Sequence, residues 1–93
     1  MDENRIKKEI AKIARSPKNV RFESLVTLLD NHISHVFSRY NHLPGRGSHH
    51  AFTVGGRTFT IVKPKQGCVK PVYIDYFLEA MEEVGLYDPE EVP

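Results

Sequence analysis

The run from His49 to Val62 constrains the fold of this chain more than any other stretch. It reads His-His-Ala-Phe-Thr-Val, then Gly-Gly, then Arg-Thr-Phe-Thr-Ile-Val, so two short runs rich in β-branched and aromatic residues flank a glycine pair. Glycine at both central positions suits a two-residue hairpin loop, whose twist calls for positive φ. The pattern predicts antiparallel strands at 49–54 and 57–62. Period-two alternation then assigns faces. His50, Phe52, Val54, Phe59 and Ile61 fall on the core side, while His49, Ala51, Thr53, Thr58 and Thr60 fall on the other. His49 is therefore expected to project into solvent, and His50 towards the core or its rim.

The flanking sequence supplies helices. Residues 3–15 place Ile6, Ile10 and Ile13 at helical spacing with basic residues elsewhere on the cylinder, and Ser16-Pro17-Lys18-Asn19 ends the run. A second helix is predicted at 22–31, where Phe22, Leu25, Val26, Leu29 and Ile33 form a stripe that Leu28 widens. Asn31 and His32 read as its exit, Ser34 to Tyr40 as a first strand, and Asn41 to Gly47, with Pro44, Gly45 and Gly47, as a turn or loop. After Pro64, Gln66 and Gly67 break the last strand, Pro71 opens a helix that carries Ile74, Phe77, Leu78, Met81 and Val84. Gly85 ends it. The acidic stretch from Leu86 to Pro93 is expected to be loosely attached. The simplest packing is an α+β domain, a three-stranded antiparallel meander with both long helices on one face.

A chain of 93 residues with 40% hydrophobic content is one domain, since halving it leaves two cores too small to be stable. Cys68 is a lone cysteine, and nothing reads as a signal peptide or a bilayer-crossing run, so a cytoplasmic setting with no membrane role is expected. The net charge of +1 argues against gripping nucleic acid by bulk charge. Its distribution matters more. Arg39, Arg46, Arg57, Lys63, Lys65 and Lys70 occupy residues 39–70 without one acidic residue, whereas residues 79–91 carry six carboxylates and no Lys or Arg.

Gly47-Ser48-His49-His50 opening a strand, the Gly55-Gly56-Arg57 turn, the Thr-Ile strand end, and Val69-Lys70-Pro71-Val72-Tyr73 leading into an amphipathic helix together resemble the HicA family of type II toxin-antitoxin toxins. The likeness covers residues 19–86, and its most specific element is the Gly-Ser-His strand start. It divides the chain into a helical extension at 1–18, a HicA-like core at 19–86 and an acidic tail at 87–93. The resemblance implies a double-stranded-RNA-binding-domain-like α-β-β-β-α fold, preceded here by an extra helix. It also implies an mRNA interferase, an endoribonuclease that needs no metal or other cofactor, with a HicB-type antitoxin as partner. By family pattern the catalytic histidine is His49, with His50 as second choice because some members place it one position later. Three features depart from the family. The extension is an addition, Val62-Lys63-Pro64-Lys65 lacks the family's Pro-x-His, and the 41–46 loop is longer.

Metal-free RNA cleavage uses the neighbouring 2′-hydroxyl as nucleophile, and so needs a base near that hydroxyl, an acid near the leaving oxygen and positive charge at the phosphate. Histidine, with an ordinary pKa of about 6.5, populates both protonation states near neutrality. The expected RNA-facing set is Arg46, Gly47, Ser48, Lys63, Lys65 and Lys70. Gly45 and Gly47 let backbone N–H groups approach an anion. Ser48 shapes the turn, and no zinc spacing is present among the five histidines. Two other functions fit the residues: a catalytically silent RNA-binding module, and an interaction domain that docks partners through the Ile6, Ile10 and Ile13 helix.

Overall fold

The computed structural model describes residues 1–91 and shows an α+β domain with three α-helices and a three-stranded antiparallel sheet. The order is α1 (Glu3–Arg15), α2 (Phe22–Asn31), a 3-10 turn at Ile33–His35, β1 (Tyr40–Pro44), β2 (His49–Val54), β3 (Arg57–Val62) and α3 (Pro71–Glu83). The expected α-β-β-β-α order is present, with α1 ahead of it. Among the described residues no helix is long and apolar enough to cross a membrane.

Each helix has local causes. Asp2 caps α1 by accepting the Arg5 N–H at 2.9 Å, and Glu3 at one end with Lys12 and Arg15 at the other complements the helix dipole. Pro71 starts α3 where a missing N–H costs no hydrogen bond. At its far end, Leu86 N–H donates to the Met81 carbonyl and Gly85 N–H to the Glu82 carbonyl, the paired bonds of a Schellman motif. No side chain caps the start of α2. Burial of Phe22, Leu25, Leu28 and Leu29 holds that helix instead.

In the sheet β2 is central, with Phe52 opposite His42 of β1 and Phe59 of β3, and His50 opposite Pro44 and Ile61. This register puts Tyr40, His42, Pro44, His50, Phe52, Val54, Phe59 and Ile61 on one face. Phe52, Val54, Phe59 and Ile61 are buried with the apolar faces of all three helices in one cluster, while the opposite face exposes Leu43, His49 and Thr58. The helices thus cover a single face, as the alternation predicts. Aromatic contacts from Phe52 to Phe59, with ring centres 5.8 Å apart, and from Phe59 to Phe77, at 6.1 Å, tie the sheet to α3.

The first strand lies later in the chain than the sequence suggests. Ser34 falls in the 3-10 turn, and its hydroxyl donates to the Asp30 carbonyl while Val36 N–H bonds the Ile33 carbonyl, so the chain keeps winding after α2. Pairing begins only at Tyr40, opposite Val54. Most of the expected 41–47 loop is strand, which accommodates Pro44 because it closes an edge strand. In the hairpin, only Gly55 of the glycine pair takes positive φ, at 62°.

Helix α1 is continuous with the core, because Ile6 and Ile10 are fully buried in the same cluster as the sheet. Those two side chains are therefore not on the surface, and only Ile13 of that stripe remains partly exposed. The tail begins attached. Leu86 is buried and Tyr87 packs on the cluster, whereas residues 88–91 are exposed; the rest of the tail, Val92 and Pro93, lies outside the described residues.

Candidate active site

The turn between β1 and β2 sets the site. Gly45 N–H donates to the His49 carbonyl at 2.7 Å, and His49 N–H to the Arg46 carbonyl at 3.2 Å. Gly47 turns the chain with φ 60°, a conformation that strains residues bearing a side chain. Lys63 N–H donates to the Ser48 carbonyl at 2.8 Å, extending the ladder between β2 and β3 by one step. The end of β1, the start of β2 and the end of β3 therefore meet at one end of the sheet. Val69 N–H bonds the Val20 carbonyl at 2.8 Å and ties the 63–70 loop to the segment leading into α2.

The two adjacent histidines part company here. His49 is exposed on the open face, and among the described residues its ring makes no side-chain hydrogen bond. His50 is half-buried on the helix-covered face, its ring centre 4.9 Å from that of Phe22. Lys63 lies against the same phenyl ring, with Nζ 5.8 Å from its centre. Arg46 and Gly47 are exposed in the turn, Ser48 is half-buried, and Lys65 and Lys70 are exposed in the following loop. Of the expected cations, Lys63 is the one whose charge acts on His50.

A chain of hydrogen bonds runs inward from His50. Its Nδ1 is 2.9 Å from Nε2 of His42, and Nδ1 of His42 is 2.9 Å from Oδ2 and 3.2 Å from Oδ1 of Asp30. The Tyr40 hydroxyl also donates to Asp30. His42 stacks on Phe52 with ring centres 4.2 Å apart, and its side chain is 17% exposed. The chain thus crosses from the last turn of α2 through β1 to the first residues of β2. No motif in the sequence marks Asp30, Tyr40 or His42 for a functional role. Pro44 and the two glycines make their segment look like a loop, which hides the two-residue step from Tyr40 to His42 that would have put both on the face of His50.

Burial pushes the His50 imidazole below its usual pKa, the nearby His42 and Lys63 act in the same direction, and Asp30 partly opposes them. Burial pushes the Tyr40 hydroxyl well above the usual phenol range, reinforced by its bond to Asp30 and by the carboxylate charge. At neutral pH His50 is therefore mostly neutral and Tyr40 is a hydrogen-bond donor. No side chain among the described residues bonds Nε2 of His50, and no buried side-chain nitrogen or oxygen among them lacks a partner, so Nε2 reaches solvent. Comparison with known protein families, curated proteins and solved structures finds no match.

Chemically, the site offers a solvent-facing imidazole nitrogen whose other nitrogen is tethered inward, beside an ammonium group. Such a pair suits proton transfer at a hydroxyl next to an anionic centre. Among the described residues no set of three or more His, Cys, Asp and Glu side chains is disposed to hold a metal ion.

Proposed function

We propose that this chain is a HicA-like mRNA interferase, the toxin of a type II toxin-antitoxin system, which cuts RNA without a metal and uses His50 rather than His49 to move the proton. The observation that carries this reading is the pairing of the tethered His50 imidazole with Lys63 on the Phe22 ring at the open end of the sheet. His50 Nε2 takes the proton of a 2′-hydroxyl as its oxygen bonds to the adjacent phosphorus. The bond from phosphorus to the 5′ oxygen breaks, and that oxygen receives the proton from His50. The products are a 2′,3′-cyclic phosphate and a 5′-hydroxyl, with no further reactant.

Lys63 would face the phosphate charge that builds up in this step, where an ammonium stabilises the transition state more than the ground state. Arg46, the backbone of Gly47 and Ser48, Lys65 and Lys70 supply further contacts to the RNA backbone. The reading carries with it a double-stranded-RNA-binding-domain-like fold, a cytoplasmic setting and a HicB-type antitoxin partner.

The test is cleavage of a defined mRNA in excess chelator by wild type, His49→Ala and His50→Ala. His50→Ala is expected to lose about 10²–10⁴-fold in rate, and His49→Ala to stay within a few-fold of wild type. Failure of wild type to cut any RNA offered, or full activity in His50→Ala, overturns the proposal. The exposed cations Arg46, Lys63, Lys65 and Lys70 favour one competing function, a silent RNA-binding module. In that case salt-sensitive binding occurs without cleavage by any variant.

A further inference from the structure

We infer that Asp30, His42 and Tyr40 are positioning residues that lock His50 into one tautomer, protonated at Nδ1 and bare at Nε2, so that His50 enters RNA cleavage as a base. The inference rests on the proposed ribonuclease site for its functional consequence, and on hydrogen-bond logic for the tautomer itself.

The ionised carboxylate of Asp30 only accepts hydrogen bonds, so both of its close partners must donate. The Tyr40 hydroxyl does so at Oδ1, and the nitrogen facing Oδ2 at 2.9 Å makes Nδ1 of His42 an N–H. The charge on His42 that lowers the His50 pKa belongs to its cationic form; in the neutral form, a proton at Nδ1 leaves an acceptor at Nε2. That acceptor lies 2.9 Å from Nδ1 of His50, which must then carry the proton of this ring. What remains on His50 is the lone pair of Nε2, at the end that reaches solvent. When His50 accepts a proton there, its positive charge is stabilised by the carboxylate of Asp30 at the far end of the hydrogen-bonded chain.

Two packing contacts hold the geometry. His42 is pinned flat on Phe52, with 23° between the ring planes, and His50 is flanked by Phe22 on one side and His42 on another. The charged or titratable groups acting on His50 come from α2 (Asp30), from β1 (His42) and from the residue after β3 (Lys63). Tyr40, which stays protonated, holds the second lobe of the Asp30 carboxylate and keeps it from rotating away from His42.

Nitrogen-15 NMR of the labelled whole chain, without RNA, tests the assignment directly, because protonated and bare ring nitrogens have well-separated shifts. At a pH where His42 and His50 are both neutral, His50 is expected to show a protonated Nδ1 and a bare Nε2, the reverse of the form a free histidine side chain prefers. His42→Phe keeps the stack on Phe52 but removes the hydrogen bond. It is expected to return His50 to the ordinary tautomer mixture, to shift its titration, and to lower kcat by about 10²-fold with little change in KM. Tyr40→Phe provides a milder variant expected to shift the His50 signals in the same direction.

A wild-type His50 protonated at Nε2, or signals unmoved in both variants, overturns the relay. Since these spectra need no substrate, they separate the two claims. A correct tautomer together with full cleavage by His50→Ala upholds the relay and removes the ribonuclease reading. Dependence of cleavage on His50 with the wrong tautomer does the opposite.

Discussion

His42 stacks face to face on Phe52, its neighbour across β1 and β2, with ring centres 4.2 Å apart. Phe52 is fully buried and also stacks on Phe59, so the middle of the hydrogen-bonded chain rests directly on the hydrophobic core. Core packing and site geometry are therefore mechanically linked at one ring. A substitution beneath His42 acts on the relay as well as on stability.

Phe52→Leu isolates that link. The change keeps an apolar side chain of reduced volume and is expected to cost about 1–2 kcal/mol by urea unfolding. RNA cleavage at a temperature where the variant is fully folded should fall by more than tenfold, because the surface orienting His42 is lost. An unchanged rate in the folded variant means that the stack does not position His42.

The lowered pKa of His50 fixes a pH dependence. In the unfolded chain the imidazole titrates near 6.5, whereas burial in the fold holds the neutral form to lower pH. Between those two values the unfolded state binds more protons, so stability rises with pH across that window and this contribution is lost as pH falls through it. The low-pH limb of kcat/KM should accordingly lie under pH 6.5, and proton NMR of the His50 ring should give the same midpoint. A midpoint at or above the ordinary histidine value contradicts the burial of this ring.

How much of this was legible in the residues differs between the two halves of the site. The hairpin from His49 to Val62 is legible because alternation and a glycine pair agree, and the same alternation correctly separates the exposed His49 from the half-buried His50. The three helices follow from periodic apolar stripes, with Pro71 and Gly85 marking the ends of the last one. The inner half of the relay is hidden, because β1 depends on tertiary pairing with β2 rather than on local propensity: Asn41, His42 and Pro44 have little strand preference of their own. Asp30 looks like an ordinary polar residue near a helix end until β1 brings Tyr40 and His42 against it.

Lys63 gives a prediction for binding. Each phosphate contact that releases counterions from a single strand contributes about 0.7 to the slope of log affinity against log salt. Lys63→Ala should reduce that slope by roughly this amount. It should weaken binding similarly across RNA sequences, since a phosphate contact carries no base information. Fluorescence anisotropy with labelled single-stranded RNA over a salt series measures both. A slope equal to that of wild type places the bound phosphate elsewhere.

The standing of α1 can be decided by comparing a buried aliphatic with an exposed ion pair. Ile10 is fully buried in the common cluster, so Ile10→Ala should cost about 2–5 kcal/mol, a large share of the roughly 5–15 kcal/mol that holds a typical domain together. Arg57 bonds Glu83 and approaches Glu79 at 3.5 Å, but both glutamate side chains are more than half exposed, so Arg57→Ala should cost no more than about 1 kcal/mol and less in high salt. Urea unfolding of the whole chain should therefore rank Ile10→Ala far below Arg57→Ala, although only the second breaks ionic contacts visible at the surface. Removing residues 1–18 takes away both Ile6 and Ile10 and uncovers the apolar groups they pack against, so the remainder should lose its cooperative transition. A truncated chain that unfolds cooperatively with the wild-type midpoint would mean that α1 covers the core without supporting it, and that a self-sufficient domain begins after the first helix.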